Sequence, residues 1–161
     1  MGKVTALLLL MSSFNPLTSF EPATAAQVAK PSVSACALLT KEVITQVTPY
    51  DKQALDLVLR VPPMEDKVGA SGSACSYGGV TMQVDPFAPA VFERQKDKMV
   101  AVPGLGDAAY FGDRSGRWAE LFVSAAGRVL TIQMDVPTGR TAASIQPNAI
   151  ALAKAILPKL K

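Results

Sequence analysis

Histidine is absent from all 161 residues of the chain. It is the usual general base near neutral pH and the commonest metal ligand. Ser-His-Asp and Cys-His mechanisms are therefore excluded, while Ser-Lys catalysis, paired carboxylates and all-oxygen metal sites stay formally open. Cysteine is nearly as scarce, with only Cys36 and Cys75 present. They are too far apart for a C-x-x-C redox motif, and no partners exist to complete a zinc site. Aromatic residues make up 6% of the chain, and no stripe of lysine or arginine appears. The net charge of +3 and pI of about 8.9 amount to mild basicity. Nucleic-acid binding asks for a concentrated basic face with stacking aromatics. The charge supports no more than a weak attraction to anionic envelope polymers. No long apolar run is visible either: Leu7 to Met11 falls far short of the about 20 residues that span a bilayer.

The N-terminus instead has the organisation of a secretory signal. Lys3 provides a positive start, Val4 to Met11 an apolar centre, and Ala23-Thr24-Ala25 a small-x-small cleavage pattern. A buried N-terminal helix is the competing reading, and Asn15, Pro16 and Pro22 would interrupt it. The expected organisation is a signal peptide over 1–25, a flexible leader over 26–35 and a single domain over 36–161, in a secreted or periplasmic protein. Val33-Ser34-Ala35-Cys36 has the residue types of a lipobox, but Gln27, Lys30 and Pro31 separate it from the apolar segment. Lipid anchoring at Cys36 is not expected, nor is stable membrane insertion after cleavage.

In an exported chain an even cysteine count favours pairing, with a reactive thiol as the alternative. Closing a loop of about 40 residues stabilises a fold by roughly 4 kcal/mol on chain-entropy arithmetic.

Thr40 is placed to cap a helix beginning at Lys41, with Leu39, Val43, Ile44 and Val47 on one face. Leu55, Leu57, Leu59 and Val61 alternate as a strand would, and a helix over 52–60 is the rival reading. Residues 64–73 read as a polar loop. Ala74 to Tyr77, Gly78-Gly79 and Val80 to Val84 form a hairpin pattern. A mostly solvated helix over 89–99, anchored by Phe92 and Met99, precedes strands at 108–111, 118–123 and 129–136. A last helix near 141–157 carries the stripe Ile145, Ala149, Leu152 and Ile156. The expected fold class is α+β: an antiparallel sheet of about five to six strands with helices packed on one face.

The order Cys36-Ala37-Leu38-Leu39-Thr40, then Cys75-Ser76-Tyr77, then Gly104-Leu105-Gly106-Asp107-Ala108-Ala109-Tyr110-Phe111 resembles a family of small bacterial domains. These are secreted or lipid-anchored domains, frequent in actinobacteria. The resemblance covers roughly residues 34–160. It implies an α+β fold and a disulfide between Cys36 and Cys75, and it implies no activity.

Candidate sites are few. Gly104-Leu105-Gly106-Asp107 could cradle a phosphate, but it leads into a strand where such loops open a helix, so a tight turn is the better account. Asp107, Asp113 and Glu120 are the nearest approach to a carboxylate cluster, with Asp113 in an ordinary hairpin turn. Ser71, Ser73 and Ser76 near Lys67 lack the S-x-x-K helix that presents a Ser-Lys pair. Tyr110 and Trp118, if they share the wetter sheet face, would anchor a partner. The expectation is an exported, noncatalytic domain without cofactor or metal that binds a protein or envelope component. The alternatives are a hydrolase using Asp107 and Glu120, and a small-ligand carrier with an apolar pocket.

Overall fold

A computed structural model describes residues 33–48 and 52–160. The signal segment assigned to 1–25 and nearly all of the leader lie outside the described residues. Among the described residues three short helices come first: α1 (Ala35–Leu38), α2 (Lys41–Val47) and α3 (Lys52–Val58). Three strands follow, β1 (Met64–Val68), β2 (Gly72–Tyr77) and β3 (Val80–Pro86), then α4 (Pro89–Lys96). The chain continues through β4 (Val100–Ala101), β5 (Ala108–Arg114), β6 (Trp118–Ala125) and β7 (Arg128–Asp135) to α5 (Ala142–Ile156).

The strands form one antiparallel sheet of seven, in the order β1-β2-β3-β7-β6-β5-β4. Two meanders, β1-β2-β3 and β4-β5-β6-β7, are thus joined where β3 pairs with β7, from Val80↔Met134 to Pro86↔Arg128. Gly78-Gly79 makes the two-residue β2–β3 turn, with Tyr77 opposite Val80. A Cβ at Gly78 would come within 2.7 Å of Val58 Cγ1, because α3 packs over this turn.

Side chains alternate between the two faces of a strand. On the inner face Met82, Val84, Leu130, Ile132, Met134, Ala119, Leu121 and Val123 are buried. They form one cluster with Ile145, Ala149, Leu152 and Ile156 of α5, the stripe expected from the sequence, and with Leu38, Ile44 and Leu55 of the first three helices. Thr40 caps α2 as anticipated, its Oγ1 accepting from the Val43 N–H at 3.4 Å. Asn148 Nδ2 of α5 donates to the Val47 carbonyl at 2.7 Å, tying the last helix to the end of α2.

The two cysteines are bonded. Cys36 on α1 and Cys75 on β2 have α-carbons 5.0 Å apart, within the usual bridging range. The Cys36 sulfur that a lipid anchor would require is therefore engaged. A polar latch reinforces the bond. Ser34 Oγ and Ser73 Oγ both donate to Glu65 Oε1, at 2.6 and 2.8 Å, and Ser73 Oγ accepts from the Ala35 N–H at 3.0 Å. The donation from Ser34, then that from Ser73, holds the Glu65 carboxyl below its usual range.

Three expectations need correction. Residues 52–58 are helical, the rival reading, because Leu55 and Leu59 meet the core one helical turn apart and Val58 packs on the Gly78 turn, while Leu57 and Val61 stay exposed. The 64–73 loop is instead β1 and the start of β2, and with β4 it raises the sheet to seven strands. Strand β1 is an edge whose residues are largely exposed, so it has no buried face to impose alternation. Finally, the helices do not all cover one face. Phe92 of α4 packs with Phe122 and Val129 in a second cluster, and register sets Phe122 on the face opposite to Leu121.

Candidate binding groove

The outer face of the sheet is where polar and apolar side chains meet a concave surface. Thr81, Gln83 and Asp85 project from β3, Thr131 and Gln133 from β7, and Glu120 and Phe122 from β6. Between α4 on one side and the β1–β2 turn on the other, these residues floor a groove of about 480 Å³. Its walls are Val68, Pro86, Ala88, Val91, Phe92 and Val129, with Gly69 to Gly72 forming the rim. The volume falls in the range of small-ligand sites, which are mainly apolar with a few placed polar groups.

Two carboxylates lie in the groove, and their surroundings differ. Glu120, only 4% exposed, accepts from Arg114 Nη1 at 3.0 Å and from Gln133 Nε2 at 2.7 Å. A cation and an amide thus compensate its burial. Asp85 accepts from Gln83 Nε2 at 2.6 Å. Burial pushes its carboxyl above the ordinary aspartate range, and the Gln83 amide opposes this only in part. The Asp85 side chain occupies space left by Gly72 on the neighbouring strand. A Cβ at Gly72 would collide with Asp85 Oδ1 and lie 2.6 Å from the Val68 carbonyl.

The structure separates the carboxylates singled out in the sequence. Asp107 is exposed, and its N–H donates to the Ser124 carbonyl at 2.7 Å. Four residues of strand separate Ser124 from Glu120, about 13 Å, and Asp107 lines a different depression, beside Gly104 to Gly106. The α-carbons of Asp85 and Glu120 lie two strands and four residues apart, about 16 Å, and Glu120 is held by Arg114 and Gln133 while Asp85 is held by Gln83. Asp113 Oδ1 accepts from the Gly116 N–H at 2.7 Å, the turn role expected of it. The Gly104–Asp107 stretch leads into β5, with Gly104 and Gly106 both at positive φ.

Tyr110 and Trp118 do share the outer face, since Tyr110 pairs with Phe122 and Trp118 with Arg114. Tyr110 is largely spent on packing, its ring centroid 5.2 Å from that of Phe92. Trp118 is 44% exposed beyond the groove and stands opposite Asp135, whose carboxyl burial raises and the Trp118 indole lowers in part. Register also sets Lys67 opposite Ser73, but the Ser73 hydroxyl donates to Glu65. Ser76 Oγ and Thr81 Oγ1 are 3.1 Å apart and share a hydrogen bond, while Ser71 lies in the β1–β2 turn.

Gln83, Asp85, Thr131 and Gln133 of this groove belong to no sequence motif. Their only signal was an alternating polar face on two strands. Among the described residues no group of three or more acidic, histidine or cysteine side chains converges as a metal site would require, and no helix is long and apolar enough to cross a membrane. No family model, curated protein or solved structure matches the chain.

Proposed function

We propose that this chain is an exported, noncatalytic binding domain that receives a protein or cell-envelope component in the outer-face groove. The observation that carries the reading is the groove itself: apolar walls of Val91, Phe92 and Val129 over a floor of hydrogen-bonding side chains, open along the sheet. The secretory signal pattern, the Cys36–Cys75 bond and the resemblance to secreted bacterial domains support an oxidising, extracytoplasmic setting. The hydrolase alternative loses its main support, because Asp107 and Glu120 line separate depressions. The small-ligand carrier keeps one observation in its favour, a volume of about 480 Å³. The groove is a trough on a sheet face, however, and not a chamber enclosed by the core.

Site-specific photo-crosslinking tests the reading. A crosslinking side chain at Val91 or Thr131 of the oxidised chain should capture a discrete adduct from envelope extract. The same group at Lys154, exposed on α5, should not. Equal capture at all three positions, or none at the groove, would sink the proposal.

A further inference from the structure

The two carboxylates of the groove are unequal, and the inequality has a chemical meaning. Glu120 is matched by Arg114 at 3.0 Å. Among the described residues Asp85 receives a neutral amide from Gln83, and neither the Arg114–Glu120 nor the Lys96–Glu93 ion pair includes it. The nearest helix brings no cation to it. α4 and its capping residue Ala88 line the groove with Ala88, Val91 and Phe92, while Arg94 Nε donates to the Ala90 carbonyl and Lys96 pairs with Glu93. The side chain is nonetheless built in, seated where a Cβ at Gly72 would collide with it. Pro86, Val91, Phe92 and Val129 surround this end of the groove with hydrocarbon, and Val91 remains 46% exposed. Asp85 is half-buried, and a partly desolvated carboxylate with apolar neighbours and no ion pair is a favourable seat for a cation from outside. A calcium ion would want six or more oxygen ligands, which this end does not gather.

We infer that the Asp85 end of the groove receives an alkyl- or arylammonium group carried by its occupant, the ammonium against the Asp85 carboxylate and the adjoining hydrocarbon or aromatic part against Val91, Phe92 and Val129. The inference rests on the groove being the binding site and names the chemistry of what enters it. The amine does for Asp85 what Arg114 does for Glu120, and the apolar body covers the exposed wall.

The test pairs 4-phenylbutylamine with 4-phenylbutanol, equal in length and differing in charge. Each is titrated into the purified, oxidised chain while backbone amide resonances are followed by NMR. The amine should shift the resonances of Gln83, Asp85, Val91 and Phe92 and bind about tenfold more tightly than the alcohol, as a charge-assisted contact does. Asp85→Asn, which keeps shape and hydrogen bonding, should make the two compounds bind alike. Equal binding of both compounds to the unaltered groove, or a preference that survives Asp85→Asn, overturns the inference and leaves the groove standing as a site. Shifts elsewhere, or none with either compound, also overturn it, and the crosslinking experiment then decides the groove separately.

Discussion

Cutting the bond between Cys36 and Cys75 is the perturbation whose magnitude follows most directly from the structure. The cysteines are 39 positions apart, so chain-entropy arithmetic assigns the crosslink about 4 kcal/mol. That is a large part of the roughly 5–15 kcal/mol by which a domain is stable. The native contacts of α1 do not depend on the bond. Ala35, Leu38 and Leu39 are buried in the core, and the Ala35 N–H is held by Ser73. The loss therefore lies in the greater freedom of the unfolded chain. Reduction is a cleaner perturbation than replacement by alanine, because Cys75 is fully buried and alanine would open a void as well. In urea, with a slope of about 2 kcal/mol per molar for a domain of this size, reduction should lower the midpoint by roughly 2 M while the native far-UV spectrum stays unchanged. A shift worth less than about 1 kcal/mol, or loss of native structure without denaturant, would refute the reasoning.

Four further outcomes follow from the geometry. Gly72→Ala forces a methyl group against Asp85 Oδ1 and the Val68 carbonyl; thermal unfolding should show a loss of about 1–3 kcal/mol, with the Asp85 resonance displaced. Arg114→Ala leaves Glu120 buried with Gln133 alone, and because Arg114 is itself well exposed the cost should be about 1 kcal/mol by denaturant titration. Glu65 titrates below its unfolded value, so its contribution is present above that value and is lost as pH falls through the folded one; the protection of α1 amides, relative to the exchange rate of an unstructured chain at the same pH, should fall on acidification, and Glu65→Gln should remove that dependence. Asp85 is the opposite case, since its folded value is raised. Its charge opposes folding at neutral pH, so Asp85→Asn should raise the melting temperature at pH 7, with the gain vanishing as pH falls through the raised folded value toward the unfolded one.

The parts of the fold that were legible in the sequence are those specified by neighbours in the chain. Thr40 before Lys41, the Gly78-Gly79 turn and the α5 stripe each carry their signal within a few residues, and each appears in the structure. Residues 52–59 carry both periods, since Leu55, Leu57 and Leu59 satisfy a period of two while Leu55, Val58 and Leu59 satisfy the helical one. Only the packing of Leu55 and Leu59 into the core distinguishes them. Strand β1 gave no signal because an edge whose residues are largely exposed need not alternate. The groove was hidden for a different reason. Its floor exists only because β3 lies beside β7, a pairing between distant parts of the chain that no local pattern specifies. Asp85 could be read as polar and outward-facing, but not as a carboxylate lodged against Gly72.

That distant pairing has a consequence for any occupant. Thr81, Gln83 and Asp85 belong to the disulfide-bearing meander, whereas Thr131, Gln133, Glu120 and Phe122 belong to the other. A guest spread across the floor therefore clasps the two halves of the protein where they meet, and by mass action its binding opposes their parting. At a free concentration one hundred times its dissociation constant, the clasp adds about 2.7 kcal/mol to the work of separating them.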